Sequence, residues 1–176
     1  QIRGNHSMSA IKQKFDELAK AGRKAYLPYV CMGDPDEEFT VSLLKTLQES
    51  GADGFEAGIP FSDTLADGQT IQAASDRALK NGMNVSNALK LVARARREGV
   101  SVPMIAMTYY NIIFHYGDEK FCADFKAAGG DGIIVPDVPL EECGPLLEAC
   151  RKNSLDLIFL VAPTTITRVD EPGEVR

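Results

Sequence analysis

Three acidic residues, Glu56, Asp63 and Asp67, lie within a stretch of twelve residues. Glu56 stands between Phe55 and Ala57 in an apolar run, where a carboxylate is costly to bury unless a shifted pKa or a partner compensates. A carboxylic acid with a raised pKa can exchange protons near neutral pH, so the pattern predicts general acid-base catalysis. The alternative is that the strand ends early and leaves Glu56 exposed at its tip.

Enzymes that make or break carbon-carbon bonds can also use a Schiff base or a metal ion, and the sequence lacks the residues that these two mechanisms need. A Schiff-base mechanism requires a desolvated lysine, and the lysines here fall on predicted helices or, like Lys24, at the start of a strand. A metal site requires clustered ligands, whereas the chain has two histidines and four cysteines without a CxxC pair. We therefore predict no metal site, with Glu56 as the proton carrier and Asp67 as a second acid in a different environment.

The composition limits the class of protein. Of 176 residues, 44% are hydrophobic and 25% are charged, which is typical of a soluble globular domain. The net charge of -6 argues against a nucleic-acid surface, and no apolar run is long enough to predict a membrane span. Four cysteines without a pairing motif indicate free thiols in a reducing cytoplasm. We expect residues 1–7 to derive from an expression vector and the natural chain to start at Met8.

The elements that would position the acidic residues alternate regularly along the chain. Short continuous apolar runs predict five strands, at residues 25–32, 53–59, 102–109, 132–135 and 157–161. The segments around them predict six helices, at residues 9–21, 36–50, 70–80, 85–98, 118–128 and 140–152. This order predicts an α/β fold with a parallel sheet, in which the carboxyl ends of the strands carry the site.

A weak internal repeat favours a barrel over a dinucleotide-binding sheet. Residues 50–54 (SGADG) and 128–132 (AGGDG) each predict a helix that ends in a left-handed glycine and turns directly into a strand. No GxGxxG motif follows the first strand, and the P-loop pattern is absent. The strand ends bring acids and aromatics, among them Tyr109 and Tyr110, to one rim, which predicts a small aromatic or polar substrate.

Four segments resemble the tryptophan synthase alpha subunit family in sequence, order and spacing. They are YLPYVCMGDPD at 26–36, FEAGIPFSDTLADGQTIQ at 55–72, TYYNIIFHYG at 108–117 and DGIIVPDVPLEE at 131–142. The resemblance runs from Ser9 to about Thr165. It implies a (β/α)8 TIM barrel that cleaves indole-3-glycerol phosphate to indole and glyceraldehyde 3-phosphate, with no cofactor in this subunit.

The resemblance also implies roles for individual residues. Glu56 matches the family's catalytic acid-base glutamate, and Asp67 matches the aspartate that holds the indole N–H. The residues that match the lining of the indole pocket are Tyr29, Met107 and Tyr109. Tyr29 stands where the family would be expected to have phenylalanine.

A partner protein is implied in the same way. The loop around Pro60 and Asp63 matches the segment that meets the tryptophan synthase beta subunit, which carries pyridoxal phosphate, in an αββα complex. Asp63 could equally cap the helix that follows it.

The chain is short for a whole barrel. A barrel of eight β/α units normally needs about 250 residues, so residues 8–165 are expected to form a partial barrel of about the first five units. Residues 166–176 form a polar tail that does not match the family, and no residue is assigned to phosphate binding. The expected function is the family's carbon-carbon lyase reaction in tryptophan biosynthesis. One alternative is an inactive fragment that binds a beta-type partner, and another is a relative of indole-glycerol-phosphate synthase, which would need a strand-borne lysine.

Overall fold

The fold is built on a parallel sheet of five strands. The computed structural model describes residues 8–63, 67–139 and 141–160 and, for the backbone alone, residues 169–170 and 174–175. The strands of the sheet are β1 Tyr29–Cys31, β2 Phe55–Gly58, β3 Met104–Met107, β4 Gly132–Ile134 and β5 Asp156–Ile158. They lie side by side in chain order, and each neighbouring pair is parallel. The predicted α/β architecture is therefore confirmed.

Helices connect the strands. They are α1 Ala10–Lys20, α2 Glu37–Glu49, α3 Gln69–Lys80, α4 Val85–Arg97, α5 Tyr110–Tyr116, α6 Asp118–Ala127 and α7 Gly144–Lys152. Side chains fix several starts: the oxygens of Ser9, Asp36 and Asn84 accept hydrogen bonds from the backbone N–H groups three residues later. These caps satisfy donors that the helix itself leaves without partners.

The structure differs from the predicted elements in four places. β1 begins at Tyr29, because Pro28 has no N–H to give to a ladder. The helix α5 was not predicted, and its first N–H, at Tyr110, is bound by the side chain of Asp137. α7 begins at Gly144 and has proline in its first turn. Two short antiparallel strands, β6 Val169–Asp170 and β7 Glu174–Val175, pair within the predicted polar tail.

The two faces of the sheet are packed differently. The outer face joins the main core, to which α2, α4, α6 and α7 contribute Leu44, Leu91, Phe125 and Leu146. The inner face carries a smaller cluster of Ile11, Ile105 and Ile134. α1 closes this inner face from one end, since a Cβ at Gly132 would lie 2.7 Å from the Cδ1 atom of Ile11. The Ser9 hydroxyl also donates to Asp156 Oδ2 at 2.6 Å.

The internal repeat has a structural counterpart at the amino ends of the strands. Gly51 and Gly129 follow α2 and α6 with φ values of +101° and +96°, so both helices end in the predicted left-handed turn. Two residues later, each repeat places an aspartate before its strand. Asp53 Oδ2 accepts a hydrogen bond from the N–H of Tyr26, and Asp131 Oδ2 accepts one from the N–H of Met104. Each aspartate therefore ties its own strand to the strand before it.

Candidate active site

A pocket lies where the carboxyl ends of β1 to β4 meet. Its walls are formed by side chains from the strand ends, the loop after β2 and helix α3: Tyr29, Ile59, Phe61, Asp67, Ser75, Met107, Thr108, Tyr109 and Pro136. Four of the five residues for which the resemblance implied catalysis or indole binding are in this set. The fifth, Glu56, is not among the lining residues, although it is the register partner of Tyr29.

Glu56 occupies the middle of β2, between Tyr29 of β1 and Ile105 of β3 in the register of the sheet. Because side chains alternate along a strand, Phe55 and Ala57 enter the outer core while Glu56 faces the inner side. Burial raises the pKa of the Glu56 carboxyl, and no charged neighbour among the described residues opposes this shift. The reading in which Glu56 stands exposed at a strand tip is wrong, since its side chain is only partly accessible.

Tyr29 and Gly58 form a matched pair at the edge of the pocket. A Cβ at Gly58 would overlap the phenol of Tyr29, so the glycine makes the space over which the tyrosine ring lies. Burial raises the pKa of the Tyr29 hydroxyl, and the nearby groups of Cys31 and Asp67 raise it further. Tyr29 is therefore a neutral hydrogen-bonding group at any physiological pH.

Asp67 lies two residues before the start of α3, and its side chain is partly exposed at the pocket. The backbone carbonyl of Asp67 accepts a 2.8 Å hydrogen bond from the side-chain amide of Gln72. Thr64, Leu65 and Ala66, which precede Asp67 in the family-like motif, lie outside the described residues.

The opposite wall is made by Met107 and Tyr109 from the end of β3. Tyr109 is 6% exposed, and the centroid of its ring lies 5.7 Å from that of Phe61 in a tilted arrangement. Helix α5 begins directly after Tyr109, and the carboxylate of Asp137 accepts a 2.9 Å hydrogen bond from its first N–H. The loop after β4 thus fixes the chain on which Tyr109 lies, in agreement with a structural role for Asp137.

Five lining residues stand outside the set that the resemblance implied: Ile59, Phe61, Ser75, Thr108 and Pro136. Thr108 stands between Met107 and Tyr109, so the rule that strand ends carry the site could have identified it. Its hydroxyl oxygen is buried and has no hydrogen-bond partner within the described residues. Ser75 reaches the pocket from inside α3, and nothing in its local sequence signals that position.

The two residues expected to contact a partner differ in accessibility. Asp63 is exposed, whereas Pro60 is buried. Beside Phe61, an open depression is lined by Val85 of α4 and by residues of α5, among them Ile112. Phe114 of α5 is 65% exposed. The surface near Phe61 and along α5 therefore includes accessible apolar groups.

The part of the chain that the structure describes offers neither a metal site nor a membrane-spanning helix. No three side chains of histidine, cysteine, aspartate or glutamate gather closely enough there to hold a metal ion. No described helix has the length and apolar character needed to cross a bilayer.

Parallel strands in chain order, helical crossovers and a pocket at the carboxyl ends of the strands define a β/α-barrel class of protein, here as five β/α units. Within that class, a model of the tryptophan synthase alpha chain family matches residues 15–171, a range that includes the first part of the predicted tail. The chain belongs to this family.

Individual relatives agree with this assignment. The chain is 48% identical over 158 residues to the tryptophan synthase alpha chain of Roseiflexus sp. (strain RS-1), covering 90% of this chain and 60% of the relative. It is 49% identical over 160 residues to that of Methanosarcina acetivorans, covering 91% and 58%. The chain thus spans about 60% of the length of the curated relatives it matches.

Solved structures show the same fold. The crystal structure of tryptophan synthase subunit alpha from Legionella pneumophila str. Paris aligns with a TM-score of 0.87 at 39% identity, covering 90% of this chain and 61% of that one. The tryptophan synthase complex from Pyrococcus furiosus aligns with a TM-score of 0.75 at 43% identity, covering 80% and 58%. The described sheet therefore corresponds to part of a TIM barrel.

Proposed function

We propose that this chain carries out the lyase reaction of the family, the cleavage of indole-3-glycerol phosphate to indole and glyceraldehyde 3-phosphate. The observation that carries the proposal is the pocket at the strand ends. It gathers Tyr29, Asp67, Met107 and Tyr109 around one space, with Glu56 on the same side of the sheet. The four buried, free thiols support a reducing cytoplasm as the compartment.

Glu56 is the proton carrier in this proposal. Burial raises its pKa and so favours the protonated form over what an exposed glutamate would have, and this acid can deliver a proton to C3 of the indole ring. The resulting carboxylate then accepts the proton of the adjacent glycerol hydroxyl while the carbon-carbon bond breaks. The bonding electrons return to the ring, and Glu56 is protonated again at the end of the cycle.

Asp67 stabilises the charge that develops between these two proton transfers. Protonation at C3 leaves positive charge on the ring nitrogen, and a carboxylate hydrogen-bonded to the ring N–H lowers the energy of that state. Tyr29, Met107 and Tyr109 supply a largely apolar lining that excludes water and strengthens this interaction. The two acids therefore have separate tasks because they lie in different environments.

A second candidate is a non-catalytic chain that binds a tryptophan synthase beta subunit. The exposed Asp63 and the apolar depression beside Phe61 favour it, because they provide an accessible surface of mixed character next to the pocket. In this proposal the beta subunit is the partner in both cases, and the candidates differ only in whether the chain turns over substrate.

Indole release from indole-3-glycerol phosphate tests the proposal. It should be measured with and without the beta subunit, for the wild-type chain and for Glu56→Gln. Removal of a general acid-base group typically costs about 10²–10⁴ in rate, so the variant should release indole at least a hundredfold more slowly.

Glu49→Gln is a suitable control, because Glu49 is an exposed residue at the end of α2 and its loss changes the charge equally. Equal turnover by wild type and Glu56→Gln would refute the role of Glu56. Binding of the beta subunit by a chain that releases no indole would favour the second candidate.

A further inference from the structure

Asp67 is held by helix α3 through a contact of its main chain. The Gln72 side-chain amide donates to the Asp67 carbonyl oxygen at 2.8 Å, a bond that runs backwards over five residues. The N-cap of α3 is Gly68, which has no side chain with which to fix the entry of the chain. Gln72 instead fixes the residue before the N-cap, by donating to its carbonyl oxygen.

Helix α3 is anchored at the positions that follow Gln72. Its inner face is buried through Ala74, Ser75 and Ala78. Its last turns are joined to the loop after β1, where Arg77 makes two hydrogen bonds of 2.7 and 2.8 Å to the carboxylate of Asp34. Asn81 adds a hydrogen bond to the carbonyl oxygen of the next residue in that loop. Gln72 and α3 therefore connect Asp67 to the loop that follows β1, the strand that carries Tyr29.

The hydrogen bond from Gln72 to the Asp67 carbonyl oxygen, the Gln72 clamp, affects the direction of the Asp67 side chain more than the stability of the fold. A side chain leaves the main chain along a direction fixed by the local backbone, so an anchored carbonyl oxygen restricts where the Asp67 carboxylate can lie. Gln72 is itself exposed, and a single hydrogen bond in water contributes little to the free energy of folding. A carboxylate that must accept a hydrogen bond from a ring N–H has to be positioned to within a fraction of an ångström.

We propose that Gln72 is a positioning residue that orients Asp67 toward the ligand of the pocket. This inference rests on the proposed function for the identity of the ligand, an indole ring, but the clamp itself rests on the geometry of α3. Gln72→Glu tests it, because glutamate has the same shape and cannot donate a hydrogen bond to a carbonyl oxygen when ionised. Gln69→Glu is the matched control, an exposed glutamine at the start of the same helix that acquires the same charge.

Two measurements on the whole chain separate the clamp from the function. The first is the ¹⁵N order parameter of the Asp67 amide, which should fall from about 0.85 toward 0.6 in Gln72→Glu and stay unchanged in Gln69→Glu. The second is the dissociation constant of indole, followed by indole fluorescence, for which the absence of tryptophan from the chain gives a dark background. We expect Gln72→Glu to weaken indole binding about tenfold at unchanged melting temperature.

The outcomes are distinct. An unchanged Asp67 order parameter in Gln72→Glu overturns the clamp, and an unchanged indole affinity overturns its role in positioning. A wild-type chain that binds no indole counts against the proposed function, while the order parameter still decides whether Gln72 holds Asp67. A fall in order together with weaker indole binding, both absent from Gln69→Glu, supports the inference in full.

Discussion

The two ends of the five-stranded sheet place their polar groups under different constraints. At the amino ends, Asp53 accepts a hydrogen bond from the N–H of Tyr26, just before β1, Asp131 accepts one from the N–H of Met104 in β3, and both aspartates lie beside arginines. Toward the carboxyl ends, Asp34 and Asp137 hold helices α3 and α5, but Glu56 in the middle of β2 is partly buried without a charged partner among the described residues, and the Thr108 hydroxyl has no hydrogen bond there. The aspartates of the amino end hold strands together, whereas the carboxyl side also keeps polar groups available for a ligand.

The largest effect on stability should come from breaking the satisfied end at Asp131. Asp131 Oδ2 also accepts a 2.7 Å hydrogen bond from Arg96, whose side chain is 19% exposed. Asp131→Ala would leave a poorly solvated guanidinium without its counter-charge, although its hydrogen bonds to the carbonyl oxygens of Gly129, Val100 and Val102 remain, and would leave an N–H of β3 without its partner. The change should cost about 3 kcal/mol of the free energy of unfolding.

Asp53→Ala provides the comparison, measured by urea denaturation in the same buffer. The arginine near Asp53 is Arg23, whose side chain is 60% exposed and can be solvated by water. Only the N–H of Tyr26 loses a close partner, so the expected cost is about 1 kcal/mol. Equal losses in the two variants would show that burial of the arginine is not what separates the two copies of the repeat.

A smaller effect, of opposite sign, is expected for Thr108→Val. Valine keeps the shape of threonine and removes a buried hydroxyl that has no partner among the described residues, so stability should rise by about 1 kcal/mol. Thr40→Val is the control, because the Thr40 hydroxyl accepts from the N–H of Gly33 and donates to the carbonyl of Asp36. That variant should lose about 1–2 kcal/mol. Stability should be measured by thermal unfolding. A loss of stability in both variants would contradict the conclusion that the Thr108 hydroxyl, unlike that of Thr40, lacks a hydrogen bond.

The smallest effect is the pH dependence that Glu56 contributes. Because the pKa of Glu56 is higher in the folded chain than in the unfolded chain, the folded chain binds the proton of this carboxyl more tightly. The stabilisation from this proton is complete below the unfolded pKa of about 4.3. It is lost as the pH rises through the folded pKa. Relative to wild type, Glu56→Gln should therefore gain stability between pH 4 and pH 7.5 in urea denaturation. A difference that is the same at both pH values would exclude a raised pKa.

The features that could be predicted from the sequence are those that depend on residues close together in the chain. The turns at Gly51 and Gly129 and the apolar strand runs are set by residues next to one another, and both were predicted. The first N–H of helix α5 is bound by Asp137, which is 27 residues away in the chain. No local sequence pattern therefore predicts where this helix begins. Ser75 reaches the pocket only because α3 packs against β1, which is a tertiary contact.

The contact between Ser9 and Asp156 has a consequence for the order of assembly. The two residues are 147 positions apart, so α1 has its hydrogen-bond acceptor only after β5 has been synthesised. At about 5–20 residues per second, the nascent chain carries Ser9 without this acceptor for roughly 7 to 30 seconds. The hydrogen bond that ties the start of α1 to the sheet therefore forms only after all five strands of that sheet have been made.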